Sequence, residues 1–380
     1  MMKNFTFHNP TKLIFGKGCL SELRAQIPKE ARILITYGGG SVVRNGILQQ
    51  VKDYLEGYTV FEFGGIESNP DCATLDKAIA YGRSCDCTYL VAVGGGSVLD
   101  GTKLIAAGIK TTDASAWEMV QQKRYTAALP YGTVLTVPAT GSEMNRGSVI
   151  SNRATGEKFS FYSEFPVFSL LDPTFTYTLS EHQVACGIAD IFVHTLEQYL
   201  TYPGQSGVMD RLAEGLLLNI LDFAPLRLES PQDYDVACEY MLSATIGLNG
   251  FLSMGVDEDW STHAIGHELT ALAGTTHGAS LVMILPALLE VMRPEKEQKV
   301  LQMGRRVFGL KHPTFRDVVE KVKDFIHSLG LSTSIKEEGI SPEVVLEIDR
   351  RFSMRGKSYG ERGIVTPDKI SQILRLSSEL

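Results

Sequence analysis

The sequence predicts an α/β N-terminal domain followed by an all-α C-terminal domain, and three observations lead there. Short apolar runs ending in glycine recur through the first half. A stretch with helical spacing separates the first two of them, which is the order of a βαβ unit. Beyond Asp172-Pro173 the texture changes to long stretches with an apolar residue every three or four positions. A length of 380 residues suits two domains at roughly 150 residues each, and we expect them to span residues 1–180 and 181–380.

Arg32 to Tyr37 (RILITY) and Thr88 to Val93 (TYLVAV) read as buried parallel strands, because a strand covered on both faces shows a continuous apolar run. Between them, Pro70 to Cys85 has helical spacing, with Asn69 as the expected N-cap. Gly132 to Pro138 (GTVLTVP) and Val167 to Leu171 (VFSLL) read as further strands. In the second half, Glu181 to Thr201, Gly207 to Ala224, Asp233 to Leu252 and Pro313 to Leu329 read as helices. No low-complexity linker and no internal repeat separates the halves, so two packed domains with the active site in an interdomain cleft are expected.

Composition removes several function classes. Apolar residues at 44% and charged ones at 21% suit a folded chain with a large core, which excludes disorder as its main character. Lys plus Arg at 36 against Asp plus Glu at 44 leaves a net charge of −8 with no long basic run, so no nucleic-acid partner is expected. The longest apolar stretch, Leu281 to Met292, is interrupted by Pro286 and Glu290 and falls short of the ~20 residues of a membrane span. The N-terminal residues lack a signal-peptide core, and the six cysteines include no C-x-x-C pair. A cytoplasmic protein is expected.

Two turns carry the first chemical signal. Gly38, Gly39, Gly40 and Ser41 follow one strand, and Gly94, Gly95, Gly96 and Ser97 follow another, each opening into a helix. Glycines there permit positive φ and let backbone N–H groups approach a phosphate, and the helix start adds partial positive charge. Neither turn is a G-x-G-x-x-G or Walker sequence. Their repetition favours a dinucleotide over two merely tight turns. Asp100, three residues past Ser97, can cap the helix or meet a cofactor hydroxyl. An acidic residue at the end of an early strand would accept from a ribose 2′-hydroxyl and repel a 2′-phosphate. Here Gly39, Gly40 and Ser41 stand instead, with Arg44 nearby, which favours NADP(H), with NAD possible.

The second signal is an uneven histidine distribution. Asp190 and His194 lie four apart in a helical stretch and share a face, as do His263 and His267; His277 follows Ala273-Gly274, an expected helix end. Imidazole and carboxylate donors without thiolates suit Fe(II), Zn(II) or another divalent transition metal. His8, His182, His312 and His327 fall outside the pattern.

Together with Lys12-Leu-Ile-Phe-Gly-Lys-Gly18, Gly94-Gly-Gly-Ser-Val-Leu-Asp100, Val137-Pro-Ala-Thr-Gly-Ser-Glu143 and His277-Gly278, these features resemble the iron-containing (group III, metal-dependent) alcohol dehydrogenase family over most of the chain. Within it the sequence is most similar to bacterial NADPH-dependent aldehyde reductases and butanol dehydrogenases, which carry a YGGGS turn. The resemblance implies an N-terminal dinucleotide-binding domain and a helical metal-binding and substrate domain. It implies one divalent metal, Fe(II) or Zn(II), held by Asp190, His194, His263 and His277, with His267 off the metal as a catalytic proton relay. For the cofactor it implies Gly38 to Ser41, Asn69, Gly94 to Ser97, Asp100, Thr136, Thr140, Asn145 and Lys158. The Pro138-to-Glu143 segment is shorter than the family's corresponding stretch. The implied reaction is hydride transfer between NAD(P)H and short-chain aldehydes or primary alcohols, by a homodimer. The rival readings are a metal- and NAD-dependent lyase of the dehydroquinate synthase kind and a metallohydrolase.

Overall fold

The computed structural model describes residues 2–379. Its first half is built on a parallel sheet and its second half is helical, and the chain forms two compact units. One unit comprises His8–Leu179 and Gln232–Thr245; the other comprises the segment ending at Phe7, Ser180–Pro231 and the residues from Ile246 onward.

The α/β unit holds strands β1 (Lys12–Phe15), β2 (Arg32–Tyr37), β3 (Thr59–Phe63), β4 (Tyr89–Gly95), β5 (Tyr131–Val137), β6 (Gly147–Asn152), β7 (Glu157–Tyr162) and β8 (Phe168–Leu171). Its helices are α1 (Ser41–Arg44), α2 (Ile47–Tyr54), α3 (Cys72–Ser84), α4 (Gly96–Lys110) and α5 (Ala116–Gln122). Six strands form one sheet in the order β1-β8-β5-β4-β2-β3, every pair parallel. Alternation places Leu34, Leu90, Ala92 and Leu135 in a core with α3, α4 and α5, while Ile33, Ile35, Val91, Val93 and Val134 face a second core with α2. Both faces are covered, which is why these strands read as unbroken apolar runs. The strands β6 and β7, absent from the sequence reading, form an antiparallel pair of their own.

Three details differ from expectation. Asn69 is not the cap of α3: the Asp71 side chain accepts from Ala73 N, and Asn69 instead takes a left-handed φ of 57°. The stretch around Pro286, which the sequence reading left without an element, is helical, with the proline inside the helix. Residues 232–245, expected within the C-terminal half, cluster with the sheet instead. There Met241 joins the α3/α4 core, Tyr240 Oη donates to Pro138 O at 2.6 Å, and Thr245 Oγ1 donates to Glu143 Oε1 at 2.6 Å.

The remaining helices are α6 (Glu181–Tyr199), α7 (Gly207–Glu229), α8 (Tyr234–Gly247), α9 (Ser261–Ala273), α10 (His277–Val291), α11 (Arg293–Arg306), α12 (Phe315–Ser328), α13 (Pro342–Arg355) and α14 (Pro367–Glu379). Helix α6 begins at a reciprocal capping box between Ser180 and Gln183 and is buried continuously from Val184 to Tyr199. No helix among the described residues is long and apolar enough to cross a membrane.

Candidate active site

A helix buried on every side must find partners for its polar groups. Asp190 and His194 sit on α6, four residues apart. Helix α9 supplies His263 and His267 and ends where Gly274 takes a left-handed φ of 71°, the αL conformation that commonly stops a helix. The chain then turns and α10 starts at His277. Asp190, His263 and His277 each bring one donor atom within 4.8 Å of one another. Around the single oxygen Asp190 Oδ1 stand His194 Nε2 at 3.5 Å, His263 Nε2 at 3.6 Å and His277 Nε2 at 3.7 Å.

These separations are too long for hydrogen bonds, and neither Asp190 Oδ1 nor His263 Nε2 finds a hydrogen-bond partner although both are buried. Four donors each ~2.0–2.2 Å from one tetrahedral ion lie about 3.3–3.6 Å apart. Asp190, His263 and His277, whose donor atoms are mutually close, therefore suit a divalent transition metal, and His194 stands beside them at 3.5 Å from Asp190. Burial alone would raise the Asp190 carboxyl, but the surrounding His194, His277 and His263 outweigh it and hold that pKa well below the usual carboxylate range. Burial opposes a charge on His263 as well, yet Glu197 and Asp190 push its pKa up to about 9.

The His267 ring lies 5.2 Å from that of His277 and 6.0 Å from that of His263, centroid to centroid. Two neighbours escaped the sequence reading. Trp260 stands edge-on to His194 and His263 and holds a left-handed φ of 61°, a conformation uncommon for a bulky residue. Glu197, one turn beyond His194, contacts His263; its position seven residues after Asp190 on the same helical face was the available signal.

In the α/β unit, β2 and β4 are adjacent parallel strands with Tyr37 opposite Val93, so the two triple-glycine turns emerge side by side at their carboxyl ends. Gly40 takes a φ of 100°, and a side chain on Gly39 would meet nothing within 4 Å. The second turn needs glycine for another reason than the positive φ anticipated there. A Cβ on Gly94 would lie 2.6 Å from Val98, on Gly95 2.8 Å from Val137, and on Gly96 2.5 Å from Thr140. No side chain caps the N-terminus of α4, which leaves its first N–H groups suited to an anion.

Near this turn, Asn69 N donates to Ser97 Oγ at 3.2 Å and Lys158 Nζ donates to Asn69 Oδ1 at 2.8 Å. Thr136 is buried on β5, and Thr140 Oγ1 accepts from Ser142 N at 3.3 Å. Asp100 caps nothing: its carboxylate accepts from Ser142 Oγ at 2.6 Å and Val149 N at 2.8 Å. Asn145 Oδ1 accepts from Lys103 Nζ at 3.0 Å, and its amide donates to Gly141 O at 2.9 Å. Asp100 and Asn145 thus pin the segment after β5 onto α4. Lys103, beneath them, is fully buried, and desolvation brings its pKa down to about 8.

Family models match both halves of the chain. The family model described as iron-containing alcohol dehydrogenase matches residues 10–173, and that of the Fe-containing alcohol dehydrogenase family, C-terminal, matches residues 184–376. The chain is 44% identical to the NADPH-dependent aldehyde reductase YqhD of Escherichia coli over 97% of each protein. It is 37% identical to a probable NADH-dependent butanol dehydrogenase 1 of Bacillus subtilis, over 99% of this chain and 100% of that one. Its backbone matches the crystal structure of E. coli YqhD with a TM-score of 0.96 at 44% identity, covering 99% of both chains. The chain belongs to the iron-containing alcohol dehydrogenase family.

Proposed function

We propose that this protein is a metal-dependent oxidoreductase that moves hydride between NADPH and short-chain aldehydes or the corresponding primary alcohols. The observation that carries the reading is the convergence of three imidazole Nε2 atoms at 3.5–3.7 Å on one unpartnered carboxylate oxygen. We assign cofactor binding to residues 1–180 and the metal and substrate to residues 181–380. Asp190, His194, His263 and His277 hold the cation. When bound, the cation polarises a carbonyl oxygen as a Lewis acid and the nicotinamide supplies hydride.

The chain's own residues do the rest. The turn Gly38 to Ser41 and the turn Gly94 to Ser97, with Asn69, Thr136, Thr140 and Lys158, receive the dinucleotide, while Asp100 and Asn145 shape its floor from beneath. His267 beside His277 returns a proton to the reduced oxygen, directly or through water. NADPH is favoured by the absence of a carboxylate at Gly39, Gly40 and Ser41 and by Arg44, whose guanidinium lies over Gly40; the relative named NADPH-dependent shares 44% of its residues with this chain and one named NADH-dependent shares 37%. We place the enzyme in the cytoplasm as a homodimer.

The test is metal analysis of the purified protein alongside NADPH and NADH oxidation with a panel of short aldehydes. We expect about one Fe or Zn per chain, sustained NADPH consumption and a higher kcat/KM for NADPH than for NADH. A single transient change in nicotinamide absorbance without net turnover would replace this reading with a lyase. Protein that binds no nicotinamide cofactor would replace it with a hydrolase.

A further inference from the structure

The structure assigns to Glu197 the positioning of His263: its carboxylate fixes which ring nitrogen of that histidine faces the metal site. This deepens the reading of the metal site above and rests on it. Glu197 lies on α6 in line with Asp190 and His194 and is 4% exposed. Its Oε2 pairs with His263 Nδ1. Its Oε1 accepts from Thr262 N at 2.6 Å and from His263 N at 3.3 Å, two of the N–H groups at the start of α9.

One buried carboxylate thus satisfies the helix start and the ring together. The backbone donors fill Oε1, so Oε2 is left as an acceptor, and the ring must carry its proton on Nδ1. With a cation bound, His263 Nε2 would then be the nitrogen that offers its lone pair, and it stands 3.6 Å from Asp190 Oδ1. A hydrogen bond from the far ring nitrogen to a carboxylate sets the tautomer and orientation of a metal-binding histidine and raises its basicity.

Replacing Glu197 with Gln separates this role from simple helix capping. The amide oxygen of Gln can still accept from Thr262 N and His263 N, so a cap survives. Its NH2 group then faces Nδ1 and can only donate, which forces the proton onto Nε2 and removes the lone pair from the metal site. The apo proteins are titrated with Co2+ alone, following the visible d–d absorption, and their thermal melting is compared. We expect Glu197→Gln to melt like the wild type, to bind Co2+ about 10–100-fold more weakly, and to shift the d–d band.

Wild-type affinity and an unchanged band in Glu197→Gln would overturn the assignment. Wild-type protein that takes up no Co2+ would instead sink the metal reading itself. Should Glu197→Gln fail to fold, the tautomer is read directly in wild-type protein loaded with Zn2+ and labelled with 15N-histidine. A proton on His263 Nδ1 supports the assignment, and a proton on Nε2 overturns it.

Discussion

Gly278→Ala tests how the site is held without touching a donor atom. Gly278 follows His277 in the first turn of α10, and a Cβ there would stand 2.0 Å from Cys186 O, 2.8 Å from its carbonyl carbon and 3.0 Å from its Cα. All three are backbone atoms of α6, four residues before Asp190, so no rotamer change can relieve the clash. Reaching ordinary contact requires α10 to retreat by roughly 1.4 Å. Metal–ligand bonds tolerate deviations of about 0.2 Å, so His277 leaves the donor set. A misplacement of about 1 Å costs on the order of 10²-fold in turnover. Overpacking costs roughly 1–3 kcal/mol of stability, partly offset by up to ~1 kcal/mol of helix propensity. The assay is Co2+ affinity, NADPH-linked aldehyde reduction and thermal melting. Gly215→Ala is the control, because Gly215 lies inside α7 with nothing within 4 Å of its Cβ position; it should gain about 0.5–1 kcal/mol and keep full activity. If Gly278→Ala binds Co2+ and turns over as the wild type does, the close approach of α10 to α6 does not position His277 and the reasoning fails.

Asp190→Ala should abolish activity and release the metal, with less than roughly a tenth of wild-type metal content by elemental analysis, since it removes the one anionic donor; native activity in this variant would refute the donor set. His267→Ala should lower kcat by about 10²-fold, the scale of a lost proton relay, while metal content stays at the wild-type level; loss of metal would contradict the role given to it. Gly39→Asp places a carboxylate where nothing lies within 4 Å, and should shift the NADPH-to-NADH ratio of kcat/KM toward NADH on the order of tenfold, corresponding to ~1.4 kcal/mol of repulsion. An unchanged ratio would show that the 2′-phosphate binds elsewhere.

Legibility in the sequence followed periodicity. Strands β2, β4 and β5 were readable because both faces of each are buried, whereas β6 and β7 lie outside that sheet in a two-stranded ladder and are only partly buried. Helix α10 was obscured by Pro286, since proline usually ends a helix; burial of Leu281 through Leu289 carries the helix past it. The helix Asp233 to Leu252 was visible, but which core it joins was not, because Tyr240 and Thr245 are drawn to the sheet by hydrogen bonds with residues 102 positions away. At the metal site, spacing marked His263 and His267 as a pair on one face. Spacing cannot say which of them turns inward; the distance of His263 Nε2 from Asp190 does. Glu197 passed unnoticed because acidic residues are almost never fully buried unless paired, and its partners come from α9.

The same geometry explains how four donors on three helices are kept in place and still reached. Glu197 ties the start of α9 to α6, Gly278 lets α10 touch the α6 backbone, and Gly266 lets α9 lie against Ser280 and Leu281 of α10, where a Cβ would stand 2.7 Å from Leu281. Each pair of helices is therefore fixed by one contact that admits little adjustment, and the donors sit on regular elements instead of loops. Exposure is unequal among them: the side chains of Asp190 and His194 are each 3% exposed, that of His263 is 9% and that of His277 is 24%. His277, the most exposed of the four, is also the one beside which His267 stands. We therefore propose that a small aldehyde would meet the donor set on that side, where His267 could also return the proton.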